Sequence, residues 1–179
     1  AEGLQRVGGW LPVGSAGLAG ALARVMGRQA DGVRMVPVGL PDLVVCGSVH
    51  AASRAQVAAL AVALDTEPIV VTGAGKAASL ARIEDCRRQA GVAIVVTPEE
   101  RLNGDALKSA RAGLADVATK ALREFAIEAV FVTGGETLMR LAERLGLQLL
   151  EPIGQFEAGV VYSSGLTSGG RLLRFVSKA

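Results

Sequence analysis

Four turns of small residues lie where a backbone could take hold of a phosphate. Gly14-Ser15-Ala16-Gly17 closes an apolar run at Trp10–Val13, and Gly47-Ser48-Val49-His50 closes Leu43–Cys46. Gly73-Ala74-Gly75-Lys76-Ala77-Ala78 follows Ile69–Thr72, and Gly134-Gly135-Glu136-Thr137 follows Val130–Thr133. Glycine lets an anion approach the main chain, and a hydroxyl at a helix start can cap the helix or bind the anion. One such turn alone reads as a tight turn with a capped helix. Four together point to a nucleotide or another phosphorylated ligand held across several loops.

The third turn carries a second possibility. Gly73-x-Gly75-x-x-Ala78 fits the dinucleotide fingerprint, and Glu99 follows the next strand near the expected spacing of ~20 residues. An NAD(P)-dependent oxidoreductase domain is therefore open as an alternative, although Tyr162, the single tyrosine, has Leu166 four residues on rather than a lysine. A third class, a non-catalytic regulatory domain that binds a metabolite, is also open. Neither a P-loop signature nor a protein-kinase catalytic loop occurs, so an ATP site here has to be of another type.

Other chemistries have little to work with. One histidine and two cysteines, with no cysteine pair at ligand spacing, make a zinc site improbable, and no metal site is expected. A Ser-His-Asp hydrolase would have to be built around His50 alone. Cys46 lies in an apolar strand and Cys86 among charged residues, which reads as two free thiols of a cytoplasmic protein. Lys and Arg exceed Asp and Glu by only 19 to 17, and aromatics are 3% of the chain. That gives no electrostatic or stacking case for nucleic acid, and none for an anionic membrane. No apolar run approaches the ~18 residues of a membrane span.

The elements that must position the turns follow from periodicity. The chain is 179 residues, 50% hydrophobic and 20% charged, with 23 glycines that punctuate apolar runs, and it is read as one compact domain. Five near-continuous apolar runs, Trp10–Val13, Leu43–Cys46, Ile69–Thr72, Ala93–Val96 and Val130–Thr133, predict strands covered on both faces. Helical patterns lie between them at Gly17–Met26, Ser53–Leu64, Ala77–Gln89, Asp105–Phe125 and Thr137–Leu145. In the fourth, Leu107, Ala110, Leu114, Val117, Ala121 and Phe125 form one stripe, and Lys108, Arg111, Lys120 and Arg123 read as a solvated face. Gln29–Pro41 is a polar, proline-bearing connection. After Gly146, short strands near Gln148–Leu150, Val160–Tyr162 and Leu172–Val176 predict a small C-terminal β appendage on the sheet edge. The expected class is α/β: three layers, doubly wound, around a mostly parallel sheet.

At the fourth turn the sequence resembles a known family. FVTGGETLMRLAERLG at Phe131–Gly146 is similar to the C-terminal nucleotide-binding region of the four-carbon acid sugar kinases. WLPVGSAGLAGALA at Trp10–Ala23, VVCGSVHAASRAQVAAL at Val44–Leu60, GQFEAGV at Gly154–Val160 and FVSKA at Phe175–Ala179 resemble further blocks of that region in the right order. The stretch from about Thr72 to Leu122 adds little.

The resemblance implies a two-domain kinase that uses ATP and Mg2+ to phosphorylate a hydroxyl of a small sugar acid. Its N-terminal domain would hold the acid and its C-terminal domain the nucleotide. This chain would then be the second domain, inactive by itself, consistent with a start at Ala1-Glu2-Gly3 that lacks Met. Carried over by position, the nucleotide contacts would be Ser48, Gly134, Gly135, Glu136, Thr137, Ser177 and Lys178. Gly134 and Gly135 would allow close backbone approach, Thr137 could cap the helix or meet a phosphate oxygen, and Lys178 could neutralise phosphate charge. Glu136 would repel a bare phosphate, so a ribose hydroxyl, a magnesium-bound water or a backbone cap suits it better. No catalytic base is identified and the absent domain is expected to supply it. His50 stands where the family more often has a small hydroxyl residue, and Ala158 replaces a common proline. Alanine-rich helices and an exposed sheet edge would permit a homodimer.

Overall fold

The computed structural model describes residues 16–27, 39–72, 75–98, 102, 104–157 and 159–178. The expected strand at Trp10–Val13, the Gly14-Ser15 turn, Gly73, Glu99 and Ala158 lie outside them, as does most of the Gln29–Pro41 connection. The chain divides into two compact units, Ala1–Val33 and Arg34–Ala179. In the first, α1 spans Ala16–Val25, where four alanines and two leucines favour helix despite Gly17 and Gly20.

The second unit is built on one sheet. In chain order its elements are β1 (Leu43–Cys46), α2 (Ala51–Ala63), β2 (Ile69–Val70), α3 (Lys76–Ala90), β3 (Ala93–Val96) and α4 (Gly104–Glu124). Then come β4 (Ala129–Thr133), α5 (Gly135–Leu145), β5 (Leu150–Glu157), β6 (Val160–Leu166) and β7 (Leu172–Lys178). The strand order is β2-β3-β1-β4-β7-β6-β5. Pairing is parallel from β2 through β7, and antiparallel within the β7-β6-β5 meander. The expected β appendage is this meander, and it is longer than the sequence indicated, because β7 joins the parallel sheet beside β4.

Successive residues of a strand face opposite sides, and the two sides have different cover. Leu43, Val45, Val130, Val132, Leu173 and Phe175 pack with Leu80 and Ile83 of α3, Leu114 and Val117 of α4, and Leu141 of α5. Val44, Cys46, Ile94 and Val96 pack on the other side with Val57 and Ala61 of α2. All four residues of β1 and of β3 are buried, which is why those strands read as unbroken apolar runs. Helix α4 buries the predicted stripe at Ala110, Leu114, Val117 and Ala121. Its charges are not all solvated: Arg111 bonds Glu136 across to α5.

Polar contacts fix the register. Asp42 Oδ2 accepts from the backbone N–H groups of Glu128 at 2.8 Å and Ala129 at 2.9 Å, aligning the starts of β1 and β4. The Arg171 guanidinium donates to the carbonyls of Leu122, Phe125 and Ile127, tying the end of α4 to the meander.

Candidate functional site

Register places the ends of four strands in one row. Val96 pairs with Cys46, Cys46 with Thr133, and Thr133 with Lys178. The turns after β1 and β4 therefore emerge side by side. From β1 the chain goes to one side of the sheet for β2 and β3, then to the other for β4. The gap between the β1 and β4 ends is thus where the strand order reverses, the place in open α/β sheets where ligands bind.

The two turns interlock through glycine. A Cβ added at Gly47 would lie 2.0 Å from Thr137 Oγ1 and 3.1 Å from Thr137 Cβ, so the buried Thr137 side chain occupies the space a residue larger than glycine would need. Gly134 is the N-cap of α5 with φ 102° and ψ 117°, a backbone that disfavours any side chain. Its N–H donates to the Lys178 carbonyl at 3.0 Å, and its own carbonyl accepts the first helical bond, from Leu138 N at 3.1 Å. The amides of Gly135, Glu136 and Thr137 open the first turn of α5, where N–H groups have no partner within the helix. At Gly135 a Cβ would meet nothing within 4 Å, so this side of the turn is open.

Charge around the turn is arranged to suit an anion. Glu136 pairs with Arg111 at 2.5 Å and with Arg140, one turn along α5, at 2.9 Å. Its hydrogen bond from Arg140, aided by the charge of Arg111 and opposed by desolvation, holds its carboxyl below the usual glutamate range. Two guanidiniums against one carboxylate leave a net positive charge beside the α5 N-terminus, whose helix dipole has the same sign.

The β1 turn is ordered locally. Ser48 Oγ accepts from His50 N at 3.2 Å, leaving the hydroxyl proton free to donate elsewhere. His50 is the N-cap of α2, its Nδ1 accepting from Ala52 N at 3.3 Å. The imidazole thus does what a small hydroxyl residue does at a helix start. Arg54 clamps the neighbouring turn, donating to Thr97 O at 2.8 Å and Thr97 Oγ1 at 2.7 Å.

Of the residues singled out by sequence, Ser48, Gly134, Gly135, Glu136 and Thr137 lie on the two adjoining turns. Ser177 and Lys178 end β7 beside them, but consecutive strand residues point to opposite faces. Lys178 lies on the α2 side, where its Nζ donates to Gln56 Oε1 at 3.2 Å. Gly47 was missed as a site residue, although a glycine directly before the serine was the available signal. Arg54 and Arg111 gave no signal, since each acts across a long sequence separation.

The described part of the third turn, Gly75–Ala78, is placed differently. It follows β2, a two-residue strand at the edge of the sheet and away from the reversal point. Gly75 caps α3 with φ 71°, and Lys76 is paired with Asp116 of α4 at 2.7 Å. Nothing in this arrangement supports an oxidoreductase.

A family model described as nucleotide-binding C-terminal domain matches residues 43–179. The chain belongs to that family. It is the nucleotide-binding C-terminal domain found in the four-carbon acid sugar kinase family, DUF1537. Among solved structures, a DUF1537 protein of Bordetella bronchiseptica, with bound citrate and a domain-swapped dimer, is 31% identical. That match covers 94% of this chain and 42% of the other, with a TM-score of 0.65. In a second crystal form the same protein gives 32% identity, 94% and 40% coverage and a TM-score of 0.60. A Haemophilus influenzae protein of the same family, 16% identical with a TM-score of 0.61, covers 89% of this chain and 41% of its own length. At that identity it shows the fold alone. The kinase-family domain thus spans about two fifths of the length of these relatives. No curated protein matches the chain.

Proposed function

We propose that this domain holds the ATP of a kinase that phosphorylates a hydroxyl of a small, four-carbon sugar acid. The observation that carries the reading is the pair of interlocked glycine turns, Gly47-Ser48 and Gly134-Gly135, at the reversal point of the sheet. In this reading the phosphates lie against the amides of Gly135, Glu136 and Thr137, with Ser48 Oγ donating from the β1 turn. Glu136, held by Arg111 and Arg140, sets the charge of the turn rather than meeting phosphate. Thr137 maintains the fit to Gly47, and Lys178 contributes positive charge from the end of β7. Ser177 supports the same edge through β7.

Phosphoryl transfer depends on in-line positioning and charge neutralisation more than on covalent chemistry by the protein. The described residues supply the cradle for the transferred group's donor. The acceptor hydroxyl and the base that orients it belong to the rest of the polypeptide in this reading. Among the described residues no group of three or more His, Cys, Asp or Glu side chains could hold a metal ion, and Glu136, the acidic residue of the turn, is engaged by two arginines. The residues present therefore do not fit as a magnesium cage, and Mg2+ would arrive on the phosphates with its waters. The citrate of the Bordetella relative, a hydroxy acid, supports a small hydroxycarboxylate as the acceptor, and its dimer supports a homodimer here. No described helix is long and apolar enough to cross a membrane; a cytoplasmic setting is part of the proposal.

The test is a thermal-shift series with ATP, ADP, NAD and NADP. A nucleotide at 100 times its dissociation constant adds about 2.7 kcal/mol, or roughly 5–11 °C for a domain of this size. A shift with ATP or ADP alone is expected. A shift with NAD or NADP alone overturns the reading.

A further inference from the structure

We propose that Arg111 of α4 is a positioning residue: by holding the Glu136 carboxylate off the first turn of α5, it keeps the amides of that turn open to an anion. This rests on the phosphate assignment proposed above. Glu136 is the second residue of α5, and an acidic side chain there is drawn to the free N–H groups and the positive dipole end of its own helix. Left alone, it would fold back over the turn as an internal anion, as acids of a first helical turn do when they cap the helix. Its position in the structure is different. Glu136 Oε2 accepts from Arg111 Nη1 at 2.5 Å, and Oε1 accepts from Arg140 Nη2 at 2.9 Å and Nε at 3.3 Å. Both oxygens are taken by guanidiniums, and among the described residues neither meets a backbone amide. Gly134, the N-cap, has no side chain to occupy the turn either.

The two arginines are not equivalent. Arg140 lies one turn along the same helix, so its bond to Glu136 is an i,i+4 pair that moves with α5. Arg111 reaches across from α4, which is fixed to the sheet by the buried Ala110, Leu114 and Val117. It therefore sets the direction of the carboxylate relative to the sheet and the β1 turn, which Arg140 does not. The Arg111 side chain is 25% exposed, so the pair is screened less than one in open solvent. The charged groups that bear on the Glu136 carboxyl are Arg140 from its own helix and Arg111 from α4. A second contact holds the same two helices together: Asp116 of α4 accepts from Arg144 Nε at 2.8 Å, one turn beyond Arg140. Removing Arg111 thus leaves α5 docked, and what it releases is the carboxylate.

The test is a double-mutant cycle on the 179-residue chain, with ADP and inorganic triphosphate titrated by calorimetry. Arg111→Met keeps an apolar stem on α4 and removes the guanidinium. Circular dichroism melts confirm that each variant folds. With Glu136 intact, Arg111→Met should weaken both ligands by about 10-fold or more, a difference of about 1.4 kcal/mol. In the Glu136→Gln background the same change should cost less than about threefold, because no carboxylate remains to be released. Arg111→Lys retains a cation for the single contact to Oε2 and should bind within about threefold of the unmodified chain. The carboxyl carbon shift of Glu136 should titrate at higher pH in Arg111→Met than in the unmodified chain, moving toward its ordinary 4.5. Lost packing alone would not produce that change. Equal losses of affinity in the two backgrounds, or no loss in Arg111→Met, overturn the positioning role and leave the phosphate assignment standing. Gly135→Asp decides that assignment separately: ADP binding by this variant as tight as by the unmodified chain overturns it, and the role of Arg111 with it.

Discussion

Replacing Gly47 by alanine puts a methyl group 2.0 Å from Thr137 Oγ1, 3.1 Å from its Cβ and 3.3 Å from its Cγ2. Thr137 is 4% exposed and belongs to the first turn of α5, so it cannot swing into solvent without moving the helix start. Two effects compete. Alanine restricts the unfolded chain, worth about 0.4–1 kcal/mol in favour of the fold. Overpacking a close contact costs about 1–3 kcal/mol. A separation of 2.0 Å is far inside van der Waals contact, so the steric term wins and a net loss of about 1–2 kcal/mol is expected. At roughly 2–4 °C per kcal/mol, melting should fall by about 2–8 °C. Thr137→Ala removes two of the three conflicting atoms, so the double variant should recover about 1 kcal/mol relative to the sum of the single changes. Differential scanning calorimetry of the four proteins measures this coupling, and ADP titration should show weaker binding by Gly47→Ala because the Ser48 turn is displaced. Wild-type melting by Gly47→Ala, with strict additivity in the double variant, would refute the interlock.

Three other contacts give expectations of known sign. His50→Ala should lose the cap of α2 at a cost of about 0.5–2 kcal/mol, and His50→Asn should restore most of it, both read by urea unfolding. Asp42→Ala leaves the N–H groups of Glu128 and Ala129 without their acceptor and should cost roughly 1–3 kcal/mol by the same assay. Glu136 titrates below its ordinary value of 4.5 in the folded chain, so its pairing stabilises above that value and is lost as pH falls through the lowered folded one. Because the side chain is 40% exposed, the effect should be under about 1 kcal/mol, seen as a shallower acid limb of stability in Glu136→Gln.

Much of the sheet was legible because its strands are buried on both faces. Leu43–Cys46 and Ala93–Val96 have the bounds their apolar runs predict, and β4 gains only Ala129. The edges were harder. In β5, observed at Leu150–Glu157 rather than Gln148–Leu150, Pro152 and Gly154 interrupt the periodicity, and the strand tolerates them through register shifts at the sheet edge. Helix α5 starts at Gly135, two residues early, because a glycine pair looks like a turn even when its second member is helical.

The glycine turns could be read locally, since a strand, a small-residue turn and a helix follow one another in sequence. The apolar groove between α2 and the β5–β6 hairpin could not be. It joins α2, β1, β4, β5, β6 and β7, and only register brings Phe131, Phe156 and Lys178 together. The pairing of Arg111 with Glu136 was hidden for the same reason, as Arg111 read as a solvated helix charge and Glu136 as a candidate nucleotide contact.

Every functional role proposed for the site depends on nucleotide binding at the β1 and β4 turns. Backbone amide chemical shifts of the labelled chain, followed during an ADP titration, test it most directly. The largest changes are expected at Gly47, Ser48, Gly134, Gly135, Glu136 and Thr137, with Lys178 following and the amides of Gly75 to Ser79 at the edge helix unmoved. Changes concentrated at Gly75 to Ser79, with the two turns silent under saturating ADP, would contradict it.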